Sequence, residues 1–182
     1  ALYLIIIFSI LFIFFNSENN FLNILVSLSS SVSNLGISFE NIPSNLSFIF
    51  LILVIIGGSF FSTSSGLRVI KILSLLKYSL NNLLSNTKPN QIYLNKVALL
   101  KSKTNNSDVN KYFLTVLVFI ISLFVISSLL TISGIKFENS FKLGILSIMN
   151  TVNSSMYGLA DFNFYSINIM SKLSLILFMI IG

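Results

Sequence analysis

An all-α integral membrane protein, built from repeated units of span, re-entrant half-helix and span, is the fold class this sequence predicts. Three observations predict it. Hydrophobic residues make up 54% of the 182 residues and charged residues only 9%, with mean hydropathy +0.92. A soluble domain carries about 25% charged residues, so this chain cannot cover a soluble surface with polar groups. Several apolar segments are too short to cross a bilayer and too apolar for exposed loops, as re-entrant segments are. The same order of segments occurs twice, at about 2–60 and again at about 112–182. There is no Cys and no His, which excludes disulfides, thiol catalysis and the usual transition-metal sites.

The first apolar run, residues 2–15, begins without a polar flank. As helix it would rise about 21 Å, short of the roughly 30 Å hydrocarbon core. A signal peptide is the alternative, but no basic segment precedes the run and no small-residue cleavage site follows Phe15. Gly182 follows directly on the apolar stretch Leu175 to Ile181, so both ends are expected to cut through helices and the chain to be a fragment. After the polar turn Asn16 to Asn20, Phe21 to Ser29 is expected to be a re-entrant half-helix. It ends in a tip, Ser30 to Gly36, whose hydroxyls and backbone are expected to face water. Ser38 to Pro43 reads as an aqueous loop, with Pro43 marking the restart of helix.

Leu46 to Ile56 then crosses part of the membrane and runs into mostly small residues, Gly57 to Gly66, before helix resumes over Leu67 to Leu84. Bare backbone at membrane depth is tolerated only where it faces protein or lines a water-filled path. Broken helices of this kind build ion and substrate sites. A soluble Gly/Ser linker is the other reading, and the composition opposes it. From Arg68 to Lys111 the chain carries eight basic residues against one acid, Asp108, which places this central loop in the cytoplasm. A basic loop can also bind nucleic acid, but that needs a soluble basic face, so no nucleic-acid partner is expected. Tyr112 to Thr131 is long enough to span. The turn Ser133 to Asn139, a second half-helix Phe141 to Met149, the polar tip Asn150 to Ser155 and a last span over Phe164 to Ile181 follow. The domains are thus 1–86, with the broken helix at 57–66, a basic loop at 87–111, and 112–182.

Two half-helices ending in irregular tips on one side of a membrane form the architecture of a cation filter, in which backbone carbonyls replace the hydration shell. Interfacial hairpins without a transport role are the alternative, and the break in the intervening helix argues against them. No span holds paired carboxylates, or a nucleophile with a base, so an enzyme is not expected. Proton coupling through intramembrane ionisable residues has no residues to use either.

The break carries a family resemblance. Gly57-Gly58-x-x-x-Ser62-Thr63-x-x-Gly66-Leu67-Arg68-Val69-Ile70-Lys71 resembles the Gly-Gly-x-x-Gly-Ser-Thr-x-Gly-Gly-Ile-Lys-Val-x-Arg signature of the TrkH/KtrB membrane subunits of potassium transporters, within the Trk/Ktr/HKT superfamily. The resemblance extends along the chain, through Lys88-Pro89 to Lys172 and Met179-Ile180-Ile181-Gly182. It implies the third and fourth of four K⁺-channel-like repeats. It also implies K⁺ uptake, as symporter or channel, across the cytoplasmic (inner) membrane in a multi-pass, lipid-embedded subunit. Gly57, Gly58, Ser62, Thr63 and Gly66 would form an intramembrane gating loop, with Arg68 and Lys71 at its cytoplasmic exit. The family implies homodimers, a cytosolic nucleotide-binding regulatory subunit of TrkA or KtrA type, and no cofactor or metal beyond the transported K⁺ or Na⁺.

The chain departs from the family at several positions. Phe61 and Ser65 stand where members carry Gly, which makes the loop bulkier. Counting back from Pro43 places the glycine of the third-repeat Thr-Thr-Gly-Phe pattern at Ser33, within Ser31, Val32, Ser33 and Asn34; a gapped alignment uses Gly36 instead. The fourth-repeat tip falls on Asn153, Ser154 and Ser155, again with serine for glycine, and Gly158 is then a later residue of the tip. In the related plant HKT transporters a serine at a filter glycine accompanies sodium preference, so weaker K⁺ selection is implied. A Na⁺-permeable or non-selective member, and a non-conducting structural or assembly subunit, are the alternative functions.

Overall fold

The computed structural model describes residues 21–37, 46–57, 69–87, 106–151, 155–159 and 162–181. The expected first span at 2–15, the loop at 38–43, Gly58 to Gly66, Arg68, most of the basic loop, Asn153 and Ser154 lie outside the described residues. So does the side chain of Lys71.

The described elements are helices α1 (Phe21–Val32), α2 (Ser47–Ile56), α3 (Val69–Thr87), α4 (Asn106–Ile132), α5 (Phe137–Ile148) and α6 (Ile169–Ile181). Two 3₁₀ turns, Ser155–Tyr157 and Phe164–Ser166, join α5 to α6. The expectation of an all-helical chain holds: no strand occurs among the described residues.

Helix α4, 27 residues, rises about 40 Å. It is the one described helix long and apolar enough to cross a membrane. It begins six residues before the expected Tyr112, because hydropathy marks where the apolar run starts, whereas Asp108 in the first turn suits the positive end of the helix dipole. Three of its hydroxyls bond back to their own helix: Thr115 donates to Lys111 O, Ser122 to Phe119 O and Thr131 to Ser127 O, all at 2.8 Å. That is how polar side chains sit on an apolar helix without unpaired protons. Phe113, Leu117, Ile121 and Phe124 stay exposed on its outer surface.

Other boundaries moved as well. Helix α1 continues through Ser30, Ser31 and Val32, which were expected in the irregular tip. The Ser31 hydroxyl donates to Ser27 O at 2.8 Å, so serine here extends the helix rather than ending it. Helix α5 starts at Phe137, inside the expected turn, with Glu138 in its first turn reaching Lys142 at 2.6 Å. Helix α6 starts at Ile169 instead of Phe164. The residues before it make a 3₁₀ turn in which Asn163 Oδ1 accepts the Tyr165 N–H at 2.9 Å.

Helix α5 packs chiefly on α4, and α1 on α2, while α2 touches both α5 and the turn at Ser155–Tyr157. Gly144 faces Leu123, Ile126 and Ser127 of α4 so closely that a Cβ would stand 3.0 Å from the Ile126 side chain. Small residues permit such close approach of two apolar helices. The core lies where α1, α2, α4 and α5 meet, around Phe50, Val54, Ile126, Met149, Met156 and Tyr157, none more than 1% exposed.

Candidate functional site

Helices α1 and α5 each have 12 residues, and both end in the same way. Beyond α1, Asn34 takes the left-handed conformation, φ 60; its N–H reaches Ser31 O at 3.2 Å and the Leu35 N–H reaches Ser30 O at 2.9 Å. Beyond α5, Asn150 has φ 52, its N–H reaches Ser147 O at 3.2 Å, and the Thr151 N–H reaches Leu146 O at 2.9 Å. This paired bonding is the Schellman ending, and asparagine is the common substitute for glycine at its left-handed position.

The two endings meet. The Asn34 amide Nδ2 donates to Met149 O at 3.5 Å, an acceptor that the Thr151 hydroxyl shares at 3.5 Å. The Ser31 hydroxyl also lies 3.6 Å from Met156 Sδ, beside Ser155 in the turn that follows the second tip. Tyr157, wholly buried, presents its hydroxyl to the same neighbourhood. The last carbonyls of a helix have no partner within it. A helix C-terminus carries roughly half a negative elementary charge. The geometry therefore brings two partly negative helix ends together, and neither 30–37 nor 147–157 contains a charged residue. Such a place favours a cation.

The first glycine of the small-residue break belongs to this centre. Gly57 is buried and directly follows α2. A Cβ there would stand 2.7 Å from Val32 O, 2.8 Å from Leu53 O and 3.2 Å from Asn34 Oδ1. Its φ of −54° and ψ of 173° are open to any residue, so close approach and not conformation demands glycine here.

The predicted site residues thus divide. Ser31 and Val32 are the last helical residues of α1. Asn34 bridges to the second tip, whereas Ser33 is exposed, with its hydroxyl on Ser30 O at 3.2 Å. Ser155 opens the 3₁₀ turn, and its carbonyl accepts the Gly158 N–H at 3.0 Å. Ser30 and Ser31, expected to face water, are 4% and 0% exposed. The Ser30 hydroxyl accepts the Ile37 N–H at 2.7 Å and pins the segment after the turn beside the helix. Gly36 within that segment is buried, with φ 71. Met149 and Met156 were missed, since an apolar residue seldom announces that its backbone or sulfur serves as an acceptor. A further tie holds the second tip from behind: the Ser147 hydroxyl donates to Leu175 O of α6 at 2.9 Å.

These features define an all-helical protein whose two short helices end at a shared, uncharged polar centre. The fold is that of a known transporter. The crystal structure of the potassium transporter TrkH from Vibrio parahaemolyticus matches this chain with a TM-score of 0.84 at 21% identity, covering 100% of this chain and 40% of that one. No family model and no curated protein matches the sequence. The chain has a TrkH-like all-α fold and spans about 40% of the length of that neighbour.

Proposed function

We propose that this chain forms part of a K⁺ uptake path across the cytoplasmic membrane, with the tips after α1 and α5 as its filter segments and residues 57–66 as its gate. The observation that carries the reading is the meeting of the two helix C-termini at Met149 O, where the partial negative charge of both helix ends converges and residues 30–37 and 147–157 carry no charge of their own. The likeness to a potassium transporter supports it, and so does the apolar length of α4. In this reading α1 and α5 are re-entrant half-helices of two like repeats. Two repeats do not enclose a pore, so further repeats of the same protein complete it. Membrane lipid covers the exposed apolar face of α4. A second copy of the subunit and a cytosolic nucleotide-binding regulator of TrkA or KtrA type are its partners, and Arg68 and Lys71 anchor their helix at the inner membrane interface, with contact to the regulator as the second reading. No cofactor takes part.

Gly36 serves as the filter glycine of the first tip in preference to Ser33. The positive φ of Gly36 and its burial support this choice, because a left-handed backbone turns a carbonyl at least cost when the residue is glycine. The test is growth of a K⁺-uptake-deficient cell at low K⁺, with the intact protein and its Gly36→Ala and Ser33→Ala variants. Rescue by the wild type and by Ser33→Ala, with loss in Gly36→Ala, is the expected result. Failure of the wild type to rescue, when it is inserted in the membrane, overturns the K⁺ reading in favour of a scaffold subunit. Rescue that Na⁺ inhibits competitively would point to a Na⁺-permeable member.

A further inference from the structure

Asn34 is placed for more than its turn requires. The Schellman ending uses backbone groups alone, and glycine is the residue that fills its left-handed position most often. Asn150 holds the equivalent position after α5 and is exposed. Asn34, by contrast, is 7% exposed. Its Nδ2 reaches Met149 O across the interface at 3.5 Å, and its Oδ1 lies 3.2 Å from the point where a Cβ on Gly57 would stand. The side chain therefore touches both tips and the start of the break.

We infer that Asn34 is a positioning residue that sets the spacing of the two tips, and through that spacing the choice between monovalent cations of different size. Gly57 leaves room for it, since a Cβ there would stand 3.2 Å from the amide oxygen of Asn34. A filter that replaces a hydration shell discriminates by the positions and number of its oxygens. Removing the Asn34 amide frees Met149 O from the first tip and lets the tips separate. The inference rests on the cation-path reading.

The experiment measures K⁺ and Na⁺ flux in proteoliposomes holding the intact protein, for the wild type, Asn34→Gly, Asn34→Asp and Asn150→Gly. Glycine keeps the left-handed backbone without strain, so Asn34→Gly removes the side chain and leaves the turn. Asn34→Asp keeps the shape but sets an oxygen against the Met149 carbonyl. Asn150→Gly sets the size of a change in the turn alone. Both Asn34 variants are expected to lower the K⁺/Na⁺ flux ratio about fivefold, the equivalent of one hydrogen bond, and Asn150→Gly to lower it far less. An Asn34→Gly ratio equal to that of Asn150→Gly, in a conducting wild type, overturns the inference and leaves the cation path standing. So does a fall in both fluxes at an unchanged ratio, because a merely structural defect scales the two cations alike. A wild type that passes neither cation overturns the cation path and this inference with it.

Discussion

Gly57→Ala is the substitution that most sharply tests the packing of the centre. The added Cβ would stand 2.7 Å from Val32 O and 2.8 Å from Leu53 O, well inside van der Waals contact. Both atoms are backbone, so neither can rotate away, and α1 or α2 must shift by several tenths of an ångström. Overpacking of this kind costs about 1–3 kcal/mol. An opposing term exists because the Gly57 backbone, φ −54° and ψ 173°, is open to alanine. Reduced freedom of the unfolded chain then favours the variant by about 0.4–1 kcal/mol. The net expectation is a loss centred on about 1.3 kcal/mol, or roughly 3–5 °C in Tm. Thermal unfolding of the intact protein in detergent, followed by intrinsic tyrosine fluorescence, measures it. Gly144→Ala is the comparison, since its nearest neighbours are side-chain atoms at 3.0–3.3 Å that can give way. If Gly57→Ala melts at or above the wild-type temperature, the close approach of the break to the first tip is wrong.

Two further changes probe α5. Ser147→Ala deletes the hydroxyl that donates to Leu175 O and is expected to cost about 0.5–1.5 kcal/mol, read from the same thermal unfolding; an unchanged Tm would show that α6 does not depend on this tie. Glu138 is held below the ordinary glutamate value of 4.5 by its hydrogen bond to the Lys142 ammonium and by that charge, with Lys136 adding a smaller pull. Its folded pKa is lowered, so the stabilisation is complete above 4.5 and is lost as pH falls from there through the lowered value. Glu138→Gln is expected to remove this slope from a Tm-against-pH series and to lower the neutral-pH Tm by the same small amount that the wild type loses in acid, small because the carboxylate is exposed; an identical slope in the variant would sink the assignment.

Much of the helical order was legible in the residues, and little of the site was. The apolar segments located α2, α4 and α6 with starts within six residues, because helices packed in or beside an apolar medium must be apolar along most of their length. Serine misled at the end of α1. A run of Ser30, Ser31 and Ser33 reads as an irregular polar tip, yet a serine hydroxyl can return its proton to the preceding turn, and Ser31 does so. The same ambiguity made Ser30 and Ser31 look solvated when they are buried. Gly57 was legible as a place for small residues, but the reason for its glycine was not, since that reason is an atom of Val32 some 25 residues earlier.

The sequence alone set the expected class of the molecule: too few charges for a soluble surface, short apolar segments separated by polar tips, and a small-residue interruption after Ile56. These are properties of composition and local spacing, and they survive any arrangement of the helices. Only the tertiary structure decided that the ends of α1 and α5 meet, that Asn34 reaches Met149 O, and that Gly57 closes beneath them. A contact between a side-chain amide and a backbone carbonyl 115 residues away leaves no mark on local composition. The carbonyl that accepts from Asn34 belongs to a methionine whose side chain says nothing of it.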